Sequence, residues 1–247
     1  MEYPNVSILM PSYNRPQFLP LITYNLSNMK YDKSKLELCI LDDGKTPLFT
    51  TDTLRETRKT LHPLTINYIR ETRRNEIGVK RNRLVKLAKH KICIMMDDDD
   101  VYFPTYIKHS VETLKRSKSG LVGSNHMLFI YPNHNYKMSK IECSAKRQIH
   151  EATMCFTKKY FRSMPGFNKS SKGEGASMID FNEKNAEYTD ITQCMICFSH
   201  SENSIGKEQF YKYRWNTQIA NTDYIPILES ISGIKYDPDR ESSDEES

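Results

Sequence analysis

The sequence has no long apolar run. No stretch of its 247 residues approaches the roughly 20 consecutive apolar residues that a membrane-spanning helix needs. The opening residues, MEYPNVSILMPSYNR, also lack the order of basic, apolar and small residues that marks a secretory signal. We therefore expect a cytoplasmic protein without a transmembrane segment.

Motifs for dinucleotides and nucleic acids are also missing. No Gly-x-Gly-x-x-Gly follows the first apolar run, which disfavours a dinucleotide-binding oxidoreductase. The basic residues form no stripe with interleaved aromatic residues, so nucleic acid is not an expected partner. The formal net charge of +5 comes from interspersed charges and does not by itself indicate a class of partner.

Cysteine shows no pattern of paired sites. Six cysteines lie mostly within apolar runs, as is typical of buried thiols in a reducing compartment. Cys194 and Cys197 have the spacing of half a zinc site, but a second pair is missing and QCMICFSH is typical of a strand. We interpret them as structural thiols, with a metal site as the less favoured alternative.

What the sequence does contain is a globular composition, with 38% hydrophobic and 27% charged residues, which indicates a folded chain. Its length fits one α/β domain. We predict a single domain over residues 1–235, in two halves at about 1–118 and about 119–235. Residues 236–247 are acidic, and we expect them to be disordered.

Apolar runs alternate with helical patterns in the first half. The expected strands span residues 5–10, 37–44, 66–71 and 91–96, and the expected helices span 17–29 and 78–90. This alternation predicts a Rossmann-like α/β fold with a mostly parallel central sheet covered by helices. Ligands of such sheets bind at the carboxyl ends of the strands, where polar residues follow three of these runs.

The second half has a different pattern, which we assign to the floor and acceptor side of a cleft. Its expected strands span residues 121–131, 152–161 and 191–198, with a loop over 166–175 and a helix around 178–186. Aromatic and β-branched residues support these strand predictions.

Four consecutive aspartates, Asp97 to Asp100, follow the fourth expected strand. Their mutual repulsion would be costly unless a cation or several backbone N–H groups neutralised it. Mg²⁺ or Mn²⁺ takes oxygen ligands and keeps positions for water and phosphate oxygens. A solvated acidic loop is the alternative, which the position directly after the apolar KICIMM disfavours.

A nucleotidyltransferase is one class of enzyme that combines clustered carboxylates, a divalent ion and a nucleotide. Such an enzyme is expected to have a glycine-rich phosphate-binding loop near its first strand. The corresponding segment here, PSYNRP, has no glycine. This class therefore stays an alternative and not the first choice.

The order of five motifs resembles the inverting family 2 glycosyltransferases of the GT-A fold. The motifs are PSYNRPQFL, LDDG, GVKRN, MDDDDVYFP and MPGF. The resemblance covers roughly residues 5–200, and it implies a nucleotide-sugar-binding half at about 1–118 and an acceptor-binding half at about 119–235. It implies a metal-dependent transfer, with inversion, of a sugar from a nucleotide-diphosphate donor, expected to be a UDP-sugar, to a hydroxyl of a glycan or other acceptor.

The resemblance implies that the turn after the first strand and the second acid after the second strand hold the nucleotide. Pro11 and Tyr13 belong to that turn, with Tyr13 stacking near the base. Asp43 would accept hydrogen bonds from the base. The alternative for Asp43 is an Asx turn ahead of Gly44.

The start of a family helix corresponds to Lys80, Arg81 and Asn82. By this resemblance Arg81 lies on the nucleotide or phosphate side, with an ordinary solvated helix arginine as the alternative. Arg15 and Arg70 are weaker candidates of the same kind.

The Asp-x-Asp metal motif of the family corresponds to Asp97, Asp98 and Asp99. Asp99 is the expected direct ligand of Mn²⁺ or Mg²⁺, and Asp97 or Asp98 would contact the ribose or a metal-bound water. His200 would complete the metal shell or contact the phosphates, since a neutral imidazole suits Mn²⁺. A structural histidine is the alternative, and Lys207 is a further candidate for the diphosphate.

An inverting transfer needs a base that removes the proton of the acceptor hydroxyl. The family usually has an acidic pair after a glycine, and this sequence has Gly173, Glu174 and Gly175 there. Glu174 is therefore the expected base and Asp180 its substitute, with a surface glutamate as the alternative for Glu174. Because the second acid is missing, a catalytically weak nucleotide- or glycan-binding module also stays open.

Overall fold

Strands and helices alternate in the first half, as the apolar pattern predicts. The structure, a computed structural model, describes residues 2–143, 148–179, 187–201, 203, 206–213 and 222–241. The strands are β1 (Val6–Ser12), β2 (Leu36–Asp42), β3 (Thr65–Arg70) and β4 (Ile92–Met95), and the helices are α1 (Leu19–Asn28), α2 (Thr51–Leu61) and α3 (Ile77–Leu87). The apolar pattern misses α2 because only Thr57 and Leu61 of this helix are buried.

The second half has shorter elements. Its strands are β5 (Val101–Tyr102), β6 (Leu121–Val122), β7 (His126–Tyr131), β8 (Lys137–Glu142), β9 (Cys155–Thr157) and β10 (Met195–Phe198), and its helices are α4 (Tyr106–Arg116), α5 (Lys158–Ser163) and α6 (Ile225–Ser232). Single 3₁₀ turns include Glu151–Thr153, Glu174–Met178, Ile191–Gln193 and Pro238–Glu241.

The central sheet has six strands in the order β3-β2-β1-β4-β9-β6. Strand β1 pairs in parallel with β2 and β4, and β2 pairs in parallel with β3. Strand β9 runs antiparallel to both β4 and β6. The predicted mostly parallel sheet flanked by helices is confirmed, and the antiparallel strand lies toward one edge.

The two faces of the central sheet are both buried, which explains the unbroken apolar runs of β1 and β2. Ile8 and Met10 of β1 belong to one core cluster, whereas the intervening Leu9 packs into the other. The polar residues within these strands are paired, since Ser7 Oγ donates to Glu37 Oε1 at 2.5 Å.

A second sheet has the strand order β5-β10-β7-β8. Strand β10 is parallel to β7, whereas β5 is antiparallel to β10 and β8 is antiparallel to β7. Because β5 begins directly after Asp100, the acidic turn connects the two sheets.

Three predictions for the second half need correction. Residues 121–131 form two strands in different sheets, because the chain leaves the central sheet after Val122. The expected strand over 152–161 is limited to β9, since the Thr157 side chain accepts from the Tyr160 N–H and starts α5. The strand expected near 191–198 begins at Met195.

Other predictions concern the chain ends and thiols. Most of the helix expected around 178–186 lies outside the described residues, as do residues 242–247 of the tail that was expected to be disordered over 236–247. The described part of that tail contains the 3₁₀ turn Pro238–Glu241. All six cysteines are free thiols, and all but Cys143 are buried. No helix within the described residues combines the length and hydropathy that a bilayer crossing requires. The single domain over 1–235, its two halves and the cytoplasmic location stay predictions.

Candidate active site

A cleft of about 1080 Å³ opens at the carboxyl ends of β1 and β4. It is lined by the turn after β1, the acidic turn after β4, the loop after α5 and residues of the second sheet. The predicted site residues in this lining are Pro11, Tyr13, Arg15, Arg81, Asp97, Asp98, Asp99 and Glu174. Asp43 and His200 are not part of the lining, and Asp180 lies outside the described residues.

Asp99 accepts hydrogen bonds from three side chains that meet at the end of β4. Its Oδ2 lies 2.5 Å from Arg15 Nη1, 3.0 Å from His200 Nε2 and 3.5 Å from Asn203 Nδ2. Burial alone would raise the pKa of Asp99, but the His200 hydrogen bond and the charges of Arg15 and Lys207 outweigh it and hold the pKa well below its usual range. Asp99 is therefore an ionised carboxylate.

His200 lies beside this carboxylate with a neutral ring. Burial lowers its pKa, and the hydrogen bond to Asp99 only partly opposes that effect. The two groups predicted to share a metal ion, His200 and Asp99, thus lie side by side. Phe18 packs against the imidazole, with ring centroids 4.9 Å apart.

Asp98 has the opposite environment from Asp99. Its side chain is buried, and its Oδ2 receives no hydrogen bond from the described residues. Burial and the neighbouring charge of Asp99 raise the pKa of Asp98 to about 8. Asp98 is thus a carboxyl group whose charged form is poorly compensated by its surroundings.

Asp100 faces away toward the second sheet. Its Oδ1 accepts from the Phe198 N–H at 3.0 Å and lies 3.4 Å from Lys207 Nζ. Burial raises the pKa of Asp100 to about 7, because Lys207 offsets only part of the burial cost. This residue connects the acidic turn to β10.

The acidic turn fits a hard divalent cation. No group of three or more His, Cys, Asp or Glu side chains in the described part of the chain already surrounds an ion position. Mg²⁺ and similar ions commonly use one or two protein carboxylates, with waters and substrate phosphates completing the shell. The unsatisfied Oδ2 of Asp98, next to the ionised Asp99, is the observation that supports such an ion.

Arg81 bridges two acids instead of facing solvent. Its Nη2 lies 3.0 Å from Asp97 Oδ1, and its Nε donates to Glu174 Oε1 at 3.0 Å. Burial would lower the pKa of Arg81, but the charges of Asp97 and Glu174 outweigh it and raise the pKa further. The buried Nη1 has no partner among the described residues. The alternative of a solvated helix arginine is therefore wrong.

The side chain of Asp43 is held behind the cleft and does not line it. Its Oδ1 accepts from Lys80 Nζ at 2.8 Å, and its Oδ2 accepts from the Asn75 N–H at 2.6 Å. Lys80 Nζ also donates to the Ser12 carbonyl at 3.0 Å. Asp43 thus positions the turn after β1, and its contact with the base stays a prediction. The Asx-type bond to Gly44 N–H comes from the preceding aspartate.

Tyr13 lines the cleft, and its stacking near the base stays a prediction. The guanidinium carbon of Arg74 lies 4.3 Å from the centroid of its ring. Arg74 and Asn75 also line the cleft. Sequence reasoning missed Arg74 because ETRRNE is a polar segment like many solvated loops. Arg70, a weaker candidate, pairs with Asp42 and does not line the cleft.

Glu174 lies in the loop after α5, and its position depends on a glycine of α3. A Cβ at Gly78 would lie 1.8 Å from the Asn168 carbonyl oxygen, so only glycine lets this loop pack against the start of α3. The Asn168 N–H in turn donates to the Glu174 carbonyl at 2.8 Å. The GVKRN motif therefore positions the Glu174 loop as well as Arg81.

The sheet order and the acid-lined cleft at the strand ends define a GT-A glycosyltransferase fold. A mannosyltransferase, PcManGT from Pyrobaculum calidifontis in complex with GDP-Man and Mn²⁺, aligns with a TM-score of 0.61 and 17% identity over 94% of this chain and 70% of that one. S. aureus TarS 1–349 aligns with a TM-score of 0.57 and 14% identity over 92% and 70% of the two chains. At such identities the likeness shows the fold.

The sequence profile described as glycosyl transferase family 2 matches residues 7–178. The chain belongs to glycosyl transferase family 2 and is a glycosyltransferase enzyme. No curated protein matches this chain. The resemblance seen in the motifs is thereby confirmed, whereas the roles of individual residues rest on the geometry above.

Proposed function

We propose that the enzyme moves a sugar from a nucleoside-diphosphate donor, a UDP-sugar in the first instance, to a hydroxyl of a glycan or protein acceptor with inversion. Mn²⁺ or Mg²⁺ at Asp97, Asp99 and His200 accompanies the donor, with Asp98 beside it in contact with the ribose or a metal-bound water. The mannosyltransferase of similar fold holds GDP-Man and Mn²⁺, and one TarS structure, 13% identical to this chain, holds UDP-GlcNAc. These two complexes support this class of donor.

The observation that carries the proposal is the buried Oδ2 of Asp98, which has no hydrogen-bond partner among the described residues. Burial destabilises the charged form of this carboxyl group and raises its pKa, so a cation in the cleft would be bound favourably. When bound, the divalent ion supplies positive charge that stabilises the departing diphosphate. The solvated-loop alternative is disfavoured because Asp98 is only 6% exposed.

The remaining residues of the cleft divide between the two substrates. We assign the base of the nucleotide to the Tyr13 and Arg74 side, where an aromatic face and a guanidinium lie together. Arg15 and Lys207 add positive charge beside the acidic turn, and the free Nη1 of Arg81 can donate to a phosphate oxygen.

The acceptor is assigned to the side of the second sheet. Phe210, which stacks on the buried Phe129 of β7 with ring centroids 5.1 Å apart, lines the cleft with the half-exposed Tyr213. Exposed aromatic faces of this kind pack against the apolar faces of sugar rings. A glycan hydroxyl is therefore the acceptor that this wall suits.

The test is metal-dependent nucleotide binding, measured by thermal shift with UDP or GDP and Mn²⁺. Nucleotide at about 100 times its Kd should stabilise the wild type by about 2.7 kcal/mol. Asp98→Asn should lose the part of this stabilisation that depends on Mn²⁺, and the control Asp52→Asn, at an exposed position, should keep it. A second arm measures release of free UDP or GDP from UDP-glucose, UDP-GlcNAc and GDP-mannose. Equal shifts in Asp98→Asn and wild type, or no shift with either nucleotide, contradict the proposal.

A further inference from the structure

The acidic pair expected after Gly173 is incomplete, because glycine occupies position 175. The backbone of Gly175 does not have a positive φ angle, so its conformation does not require glycine. The reason for glycine must therefore be the space around it.

That space is occupied by the side chain of Glu151. A Cβ at position 175 would lie 2.5 Å from Cγ and 3.2 Å from Cδ of Glu151, and 2.8 Å from Cε of Met154. The carboxyl group of Glu151 thus lies where a side chain of residue 175 would extend. A carboxylate from a different turn replaces the missing one.

Glu151 and Glu174 both line the cleft, but their environments differ. Glu174 is buried, and Arg81 Nε occupies its Oε1 at 3.0 Å. Glu151 is partly exposed, and its carboxylate has no hydrogen-bond partner among the described residues, although it lies near enough to Arg81 to feel its charge. Because Arg81 already occupies an oxygen of Glu174, the carboxylate of Glu151 is the better placed of the two to contact an acceptor hydroxyl.

The turn that carries Glu151 is fixed to the acidic turn. His150 Nδ1 accepts from the Ala152 N–H at 3.1 Å and caps the 3₁₀ turn Glu151–Thr153. The Tyr102 hydroxyl accepts from the Asp97 N–H at 2.7 Å and donates to the Ala152 carbonyl at 3.2 Å. A single phenol therefore connects the backbone of the Glu151 turn to that of the proposed metal-binding turn.

We infer that Glu151 is the catalytic base of this glycosyltransferase, an assignment that rests on the proposed function. The acceptor hydroxyl gives its proton to the Glu151 carboxylate while its oxygen forms a bond to the anomeric carbon of the donor. The bond from that carbon to the diphosphate oxygen breaks, and its electron pair leaves with the nucleoside diphosphate. Protonated Glu151 then returns the proton to water through the cleft.

The experiment moves the carboxylate from position 151 to position 175. Glu151→Gln should lower nucleotide release from the best donor by about 100-fold or more, with UDP–Mn²⁺ affinity nearly unchanged. Gly175→Asp alone should be impaired, because its Cβ overlaps Glu151. Glu151→Ala with Gly175→Asp should recover turnover by about 10-fold or more over Glu151→Ala, since the vacated space then holds the introduced carboxylate at the usual family position.

The controls separate a base from a structural role. Glu56→Gln on the exposed face of α2 should keep full turnover and binding. Formate should restore turnover to Glu151→Ala, because a small carboxylate can enter the space left by the side chain.

The inference is overturned if Glu151→Gln keeps turnover within about threefold of wild type. It is equally overturned if the swap and formate both fail to restore turnover, or if Glu174→Gln alone stops turnover with full binding. Failure of the proposed function has a separate signature, since the wild type itself would then neither bind UDP with Mn²⁺ nor release nucleotide.

Discussion

Replacing Asp98 by asparagine should stabilise the metal-free enzyme at alkaline pH. The pKa of Asp98 is raised from 3.8 to about 8, so the folded protein keeps a proton that the unfolded chain releases between these values. Stability from this group is therefore present at low pH and lost as the pH rises from about 4 to about 8. The asparagine carries no charge and avoids this loss.

The magnitude follows from the size of the shift. A rise of about four units corresponds to on the order of 5 kcal/mol at about pH 8.5, at about 1.4 kcal/mol per unit. The unsatisfied amide of asparagine costs about 1 to 3 kcal/mol of this. The net gain of at least about 2 kcal/mol raises Tm by at least about 4 °C for a domain of this size. At about pH 5 the gain should be near zero, because ionisation of the unfolded chain has then cost only about 1 to 2 kcal/mol and the unsatisfied amide offsets it.

Asp99→Asn provides the matched comparison in the same turn. Asp99 has a lowered pKa and pairs with Arg15 and His200, so its loss removes favourable charged interactions. We expect destabilisation by about 1 to 3 kcal/mol at neutral pH. The assay is thermal unfolding of both variants in EDTA at about pH 5 and about pH 8.5.

The two variants must therefore differ in sign at alkaline pH. A lower Tm for Asp98→Asn than for wild type at about pH 8.5 would refute the argument. An equal gain at both pH values would also refute it, because the effect would then not come from ionisation. Addition of UDP and Mn²⁺ should make the Tm of the wild type higher than that of Asp98→Asn, since only the wild type is stabilised by the bound ligand.

Three further predictions concern other contacts. Lys80→Met should lower the free energy of unfolding in urea by about 3 to 5 kcal/mol, because it leaves the buried Asp43 without its ion-pair partner. Asp43→Asn in the same chain should recover part of this loss, and an unchanged unfolding midpoint in Lys80→Met would contradict the prediction. Gly78→Ala should lower both Tm and turnover, since its Cβ displaces the Asn168 loop that leads to Glu174; wild-type values for both would show that the loop tolerates the methyl group. Removal of divalent ions with EDTA should weaken UDP binding by about 10-fold or more in calorimetry, and Mn²⁺ should restore it; unchanged affinity would exclude a metal role for the aspartates.

Local sequence patterns were sufficient to predict the central strands and the acidic turn at the end of β4. Strands β1 and β2 are buried on both faces, so their apolar runs are continuous and identify them without tertiary information. The aspartates follow β4 at the edge where parallel strands place their ligands, which made the acidic turn predictable. The family followed from the order of the motifs.

The roles of single residues depended on contacts between distant parts of the chain. Asp43 was predicted from its motif alone, and only the structure shows that the side chain of Lys80, from α3, binds it. Arg81 reaches Glu174, which is 93 positions away along the chain. The sequence around Glu151 did not indicate a function, because the inferred role of this residue depends on its position beside Gly175.

The sequence by itself thus determined the α/β class, the family and the place of the acidic turn, since these depend on burial patterns and motif order along the chain. Only the tertiary structure decided which carboxyl groups are paired and which are free. The charge state of Asp98 or Asp99 depends on burial and on partners from other loops, and the folding of those loops over the strand ends brings them together.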